Sequence, residues 1–436
     1  MNYKCNKLPH SEIEVEITLP FAEFESQVKR AVVLLSEEIE IEGFRKGKAP
    51  YEMVKQRIGE AAIYERAADI AVRKVWSEVF DRMTVLGELS AENPLIGRPE
   101  VSITKLAPGN DLEFKVKITI LPSVKLPDYQ AIAKRVRGEK KEIAVEDKEI
   151  DEALNWLRDS RTKLVTVDRE AKKGDRVEVD FQISRGGVKI ENGESKNHPL
   201  ILGQEKFLPG FEGAVMGMKK GDKKEFTLEI PKNWHDDALA GKPFDFSVTM
   251  GLVQDRQTPE ATDEFAKTLG NYESLDALKA NIREGLETEK KEKESQRIKA
   301  LMIEDIAKQA EIDVPETLVT SELEKMKQEL DANITQVGMK WEDYLLHIKK
   351  SEEDLKRDWR EEAVRRVRIA LCLRAIANEE HVTAPEEEIA ERAQQYLQRF
   401  GSIKEAEKAI DPEALREYIR GIVRNEKVFS ALENIK

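Results

Sequence analysis

Three cations, one aromatic ring, two glycines and a proline fall within eight consecutive positions, Gly43-Phe44-Arg45-Lys46-Gly47-Lys48-Ala49-Pro50. Glycine reaches positive φ and proline holds φ at about −65°, so the stretch reads as a turn of defined shape and not as a floppy basic tail. A phenylalanine at a loop tip has no core to enter. It is either an incidental ring on a solvated turn or a contact made for a partner. Beside Arg45, Lys46 and Lys48 that contact would be recognition of acidic residues or RNA phosphates, weakened by salt.

Nothing in the chain has the spacing of a nucleophilic or metal-assisted active site. Cys5 and Cys372 lie far apart in no CxxC pattern, and His10, His198, His235, His347 and His381 are scattered. No metal or cofactor is expected, and two isolated cysteines fit a reducing cytosol. The opening residues Met1-Asn2-Tyr3-Lys4-Cys5 lead into Lys7 and His10 with no apolar run, so no signal peptide is expected. No stretch approaches the roughly 18 apolar residues of a membrane span, so no membrane partner is expected either. A net charge of −13 argues against DNA or general nucleic-acid binding. Any RNA contact must be local, at 43–50 with nearby Lys55 and Arg57.

A chain of 436 residues suggests two to four domains, and three regions differ in pattern. Residues 1–118 read as a small α+β unit. Ile13, Val15, Ile17 and Leu19 alternate as a half-buried strand, and Pro20 opens a helix with Phe21, Phe24, Val28, Ala31, Val32 and Leu35 at helical spacing. After the basic loop a second helical stretch carries Val54, Ile58, Ile63, Ala67, Ile70 and Val75. Two alternating runs follow, Val101–Ile103 and Leu112 to Ile120, joined by the turn Ala107-Pro108-Gly109-Asn110. Residues 119–150 look like a linker, lying either as an edge strand or as a long arm.

Residues 151–255 change character. A short helix with Ile150, Leu154 and Leu157 precedes alternating strands at 177–183, 226–230 and 244–252, an apolar strand Leu200-Ile201-Leu202-Gly203, and a short helix within 209–218. Antiparallel strands around one short helix make an α+β half-barrel. Residues 256–436 read as helical throughout. Ser351 with Asp354, Thr383 with Glu386, and Asp411-Pro412 mark helix starts, and Glu289 to Glu294 reads as a solvated helix face. The apolar residues of this region could form an ordinary packed bundle or leave faces open for unfolded segments.

The octapeptide resembles the signature Gly-Phe-Arg-x-Gly-x-x-Pro of bacterial trigger factors, with Gly43, Phe44, Arg45, Gly47 and Pro50 in register. The middle region resembles FKBP-type prolyl isomerases through Leu202-Gly203-Gln204, Phe207-Leu208-Pro209-Gly210-Phe211-Glu212-Gly213 and the turn Lys220-Gly221-Asp222. Residues 256–436 are similar to the helical C-terminal part of trigger factors mainly in pattern, with Ile312-Asp313-Val314-Pro315 the strongest local string. The resemblance implies a multidomain α+β protein: a ribosome-binding domain at 1–118, a linker at 119–150, an FKBP-type half-barrel at 151–255 and an all-helical chaperone domain at 256–436. It implies docking through Gly43, Phe44, Arg45, Lys46, Gly47 and Pro50 on a large-subunit protein and adjacent rRNA at the ribosomal exit tunnel. It also implies nascent and unfolded polypeptides as partners, a cytoplasmic location and a weak homodimer when free.

For the isomerase, the resemblance implies a pocket of Phe181, Ile190, Phe207, Leu208, Phe211, Trp234, His235 and Phe246. Phe211 would form its floor, the Leu208 N–H would hold a substrate carbonyl, and Trp234 with His235 would cover the opening. Phe181, Leu208 and Phe246 would equally suit a half-barrel core. A phenylalanine is usual where this chain has Ile190, a tyrosine where it has Trp234, and a tryptophan in single-domain members where it has Phe211. Attenuated activity is therefore expected. A prolyl isomerase or holdase acting away from the ribosome is the alternative.

Overall fold

The first apolar alternation of the chain builds one side of an antiparallel sheet. The computed structural model describes the chain except residues 43, 88, 91–92, 232–239, 399–410 and 436, and the side chains of residues 191–192. Its contacts divide it into two units, Met1–Lys140 with Ser295–Lys436, and Lys141–Glu294.

In the first unit β1 (Asn2–Leu8), β2 (Glu12–Leu19), β3 (Leu95–Lys105) and β4 (Leu112–Ile120) lie in the order β1-β2-β4-β3, every pair antiparallel. Ile13, Val15, Ile17 and Leu19 share a core with Leu112, Phe114, Val116 and Ile118. On the opposite face Lys115 pairs with Glu14 and Glu16, and Lys117 with Glu12. Val101 and Ile103 are exposed, because β3 is an edge strand whose register shifts at both ends.

Helix α1 (Phe21–Glu38) starts at Pro20 as expected, and the Phe21 N–H, which has no intrahelical acceptor, donates to Asp111 at 2.9 Å. The second helical stretch is two helices, α2 (Tyr51–Ile58) and α3 (Glu60–Val85), because Gly59 at φ 88° turns the chain between them. The small residues Ala67, Ala68 and Ala71 let α3 approach α1 closely over the sheet.

Residues 119–150 lie neither as an arm nor only as an edge strand. Val124–Lys125 (β5) pairs with Glu311–Ile312, and Tyr129–Arg137 is a helix, α4, capped by the Asp128 side chain. Tyr129, Ile132, Ala133 and Val136 are spaced for one helical face and are buried with Ile298, Met302, Ile306 and Ile376. Dense charge on the other face disguised that periodicity.

The second unit begins with α5 (Asp147–Ser160) and holds β6 (Lys163–Thr166), β7 (Arg176–Arg185), β8 (Val188–Ile201), α6 (Phe211–Val215), β9 (Lys223–Glu229), β10 (Pro243–Gln257) and α7 (Asp263–Leu269). The sheet runs β6-β10-β7-β8, with β9 also paired to β10. The β10 alternation breaks at a register shift between Met250 and Leu252, so Val253 enters the core in place of the expected Leu252. Helix α8 (Leu275–Gln309) carries the expected solvated charge run, but Glu294 is buried and accepts the Lys141 N–H at 2.7 Å.

The first unit is completed by β11 (Glu311–Ile312), α9 (Glu316–Gln336), α10 (Trp341–Ile348), α11 (Glu352–Glu379), α12 (Glu386–Gln398) and α13 (Pro412–Glu433). Ser351 and Asp354 form the expected capping box, and Asp411 caps α13; α12 starts later than Thr383 would place it. No helix among the described residues is long and apolar enough to cross a membrane.

Candidate functional site

Alternation on β7, β8, β9 and β10 aims one aromatic or apolar side chain from each strand into the concave face of the half-barrel. Phe181 from β7, Phe226 from β9 and Phe246 from β10 meet Phe207 and Phe211 from the loop and helix that cross that face. Ring centroids lie 4.8 Å apart for Phe207–Phe211, 5.6 Å for Phe181–Phe207, 5.8 Å for Phe181–Phe211 and 5.6 Å for Phe211–Phe246. Most of these contacts are edge-to-face or tilted, the favoured geometry of aromatic pairs, while Phe226 and Phe246 stack with planes 12° apart. Phe211 is fully buried at the centre. Phe181, Leu208 and Phe246 are buried around it, and Ile190 and Phe207 sit half-buried at the margin of the same cluster.

The loop carrying Phe207 and Leu208 is held from below. Glu212, itself buried, accepts the Gly203 N–H at 2.6 Å and the Lys206 N–H at 3.1 Å. Gly203 at φ 93° leaves no room for a side chain, since a Cβ there would lie 2.5 Å from Lys173 Cγ. Gly210 at φ 85° likewise lets the chain turn into α6 against Leu228. Thus Leu-Gly and Gly-Phe-Glu in the sequence are the two ends of one loop tied by one carboxylate. The Leu208 N–H donates no hydrogen bond among the described residues, whereas its carbonyl accepts from Phe211 N–H at 3.0 Å.

Behind the loop, buried Asp175 accepts from Arg169 at 2.5 and 3.0 Å and from the Lys172 N–H at 2.9 Å. Burial alone would raise its carboxyl, but these hydrogen bonds and the guanidinium charge outweigh burial and hold it below the usual carboxylate range. The Asp175 carbonyl accepts the Leu202 N–H at 2.9 Å, so this ion pair fixes the strand end from which the loop departs.

Six of the expected pocket residues are therefore brought together: Phe181, Ile190, Phe207, Leu208, Phe211 and Phe246. Trp234 and His235 lie outside the described residues. Sequence reasoning missed Phe226 and His198. Phe226 stood in a strand already recognised, and its facing residues gave the missing signal. The His198 ring lies tilted 5.0 Å from Phe207 and edge-on 5.4 Å from Phe181; it lies on β8, whose length from Val188 the sequence reading did not anticipate. His198, Phe207, Gln204, Lys206 and Arg176 border a cleft of about 360 Å³ beside the cluster.

The basic loop is a separate site in the first unit. Ile41 and Ala49 are buried and anchor its two ends. Between them the Gly47 N–H donates to the Ser36 carbonyl at 3.0 Å and the Lys48 N–H to the Arg45 carbonyl at 3.0 Å. Gly47 takes φ 76°, and a Cβ there would lie 2.9 Å from Glu37. Phe44 is 43% exposed. Arg45, Lys46 and Lys48 are exposed and have no ion pair among the described residues, and Pro50 caps α2. Gly43 lies outside the described residues. At the loop's base Lys55 and Tyr51 both donate to Glu60 at 2.8 Å; the Lys55 hydrogen bond, then that of Tyr51, holds the Glu60 carboxyl low.

A half-barrel with an aromatic floor and a carboxylate-braced loop is the architecture of a prolyl isomerase domain, and residues 167–251 match the family model "FKBP-type peptidyl-prolyl cis-trans isomerase". Residues 1–157 match the model "Bacterial trigger factor protein (TF)" and residues 274–433 its C-terminal counterpart. The chain is 33% identical over 417 residues to the trigger factor of Bacillus mycoides, covering 94% of this chain and 95% of that one. It is 31% identical over 402 residues to the trigger factor of Halalkalibacterium halodurans (92% and 90% covered) and 31% over 441 residues to that of Caldicellulosiruptor saccharolyticus (100% and 97%). A solved structure of the trigger factor chaperone shares its fold across the full length of both chains, with a TM-score of 0.54 at 21% identity. The chain belongs to the trigger factor family of chaperones and carries that family's FKBP-type peptidyl-prolyl cis-trans isomerase domain.

Proposed function

We propose that this chain works at the ribosomal exit tunnel in the cytoplasm, docking through Gly43, Phe44, Arg45, Lys46, Gly47 and Pro50. Its contacts there are a large-subunit protein and the adjacent rRNA. The observation that carries this reading is a hydrogen-bonded turn presenting an exposed ring and three cations with no ion pair among the described residues, on a chain of net charge −13. Local positive charge without ion partners is available to phosphates or acidic side chains, whereas the rest of the surface repels nucleic acid. Residues 1–118 serve docking, 119–150 connect, 151–255 isomerise X-Pro bonds, and 256–436 hold nascent and unfolded polypeptides. Off the ribosome the protein forms a weak homodimer.

In the isomerase domain the half-buried Phe207 and Ile190 meet the proline ring as walls above the buried floor of Phe211, Phe181 and Phe246; Trp234 and His235, the other expected pocket residues, lie outside the described residues. Twisting an X-Pro amide loses resonance behind a barrier of about 18–20 kcal/mol. The twisted amide is less polar than the planar one, so a dry aromatic floor favours it. The unbonded Leu208 N–H holds the substrate carbonyl while the bond turns. No nucleophile or acid–base pair is needed, because the barrier is loss of amide resonance and no bond is cleaved.

Ribosome co-sedimentation of the Phe44→Ala, Arg45→Ala, Lys46→Ala triple variant tests the docking. The variant should fold normally and stay in the supernatant, and wild-type pelleting should fall as salt rises. Unchanged pelleting of a folded variant would instead favour an isomerase or holdase working on non-ribosomal partners.

A further inference from the structure

The cleft of about 360 Å³ beside the aromatic cluster shares a wall with it, the half-buried ring of Phe207. Pro199, Leu200 and Ile201 of β8 give the cleft an apolar lining. Its charges are not balanced. Arg176 is already occupied, donating to Gln254 at 2.5 Å and pairing with Glu178 at 2.9 Å. Glu212, the only acid that lines the cleft among the described residues, is buried, and its two oxygens accept the Gly203 and Lys206 N–H groups. The exposed Lys206 ammonium has no ion pair or hydrogen bond among the described residues. The Gln204 amide and the His198 imidazole have no hydrogen-bond partner there either. Glu205 lies between Gln204 and Lys206 in the chain but does not line the cleft.

A side chain entering this cleft therefore meets one ammonium without a counter-charge, with an amide beside it and apolar surface for a hydrocarbon stem. A carboxylate supplies the single negative charge that one ammonium balances, and a charge-assisted hydrogen bond is stronger than a neutral one. The neighbours of a proline that meets Phe207 are within reach of the cleft. An extended chain advances about 3.3–3.6 Å per residue, so a residue directly before or after the proline needs no turn to arrive there.

We propose that this cleft reads the residue next to the proline and favours an acidic side chain there, with the Lys206 ammonium as its charge partner. The proposal rests on the reading that the proline ring meets Phe207. Lys206 then determines which X-Pro segments are preferred and takes no part in turning the bond.

The test is exchange NMR on the full-length protein, reading kcat/KM for pentapeptides blocked at both ends. The framework is Ala-Xaa-Pro-Zaa-Ala, with glutamate at Xaa, glutamate at Zaa, or glutamine at both. One glutamate peptide should exceed the glutamine peptide about threefold, the scale of one exposed ion pair. The position that gains identifies the neighbour that enters the cleft. Lys206→Gln should remove the gain, and Lys206→Glu should turn it into a loss. The ratio between peptides is read within each protein, so a change in absolute rate does not affect it. No gain for either glutamate peptide in wild type overturns the proposal, and so does a gain that survives in folded Lys206→Gln. Phe207→Leu separates the cleft from the reading beneath it. Lower rates on all three peptides are expected and keep Phe207 as a wall, so that a missing glutamate gain counts against the cleft alone. Unchanged rates in folded Phe207→Leu overturn both.

Discussion

The Glu212 carboxylate accepts the Gly203 N–H at 2.6 Å across the loop that carries Phe207 and Leu208. A side chain from the short helix thereby sets the height of the loop above the aromatic floor. Both oxygens are used, since Lys206 N–H takes the second at 3.1 Å.

Glu212→Ala should therefore cost about 1–3 kcal/mol in stability, the usual range for donors left unpaired. Isomerase activity on a short proline peptide should fall further than the stability loss explains, because the loop no longer holds its height. Glu212→Gln keeps one acceptor and should lie between. Thermal melting with peptide kinetics checks both; full activity in a folded Glu212→Ala protein would remove the loop from the mechanism.

Asp175 gives a pH signature. Its folded-state carboxyl is held below its unfolded value of about 3.9. The stability it contributes is thus fully present above that unfolded value and is lost as pH falls through the lower folded one. Asp175→Asn should destabilise by about 1–3 kcal/mol at pH 7, and its deficit against wild type should shrink in acid. Urea unfolding at pH 7 and at pH 3 measures the difference; a deficit that stays constant would contradict the ion-pair account.

Gly47→Ala tests whether the basic loop works by shape as well as by charge. The φ of 76° is strained for any residue with a Cβ, costing about 1–2 kcal/mol, and the methyl would push against Glu37. Ribosome co-sedimentation should weaken although every cation is retained. Undiminished pelleting would mean that charge alone suffices.

Ile190→Phe should raise kcat/KM on a short proline peptide, since a flat wall covers the proline ring more fully than a branched one. A gain of about 1.4 kcal/mol in transition-state stabilisation is tenfold in rate. Ile190 is half-buried at the cluster's edge, packed close to Gly193, whose absent Cβ would lie 3.1 Å from it. Overpacking there costs about 1–3 kcal/mol, so melting must accompany the kinetics. A well-folded variant with no gain would show that this wall does not limit the pocket.

Period and punctuation were enough to read β2, α1, the turn at Gly109, β7 and the Ser351 capping box, because each is decided by residues near in sequence. The motifs Gly-Phe-Arg-x-Gly-x-x-Pro and Leu-Gly…Gly-Phe-Glu-x-Gly likewise marked two shaped loops, since positive-φ glycines and a braced loop leave local marks. What lay beyond reach depends on residues far apart. Whether the alternation of β10 continues through Leu252 is settled by pairing with β7, and the helix at 129–137 is stabilised by burial against α8 and α11. Ser11 donates to Asp313 at 2.8 Å across 302 residues, and no local pattern marks that hydrogen bond.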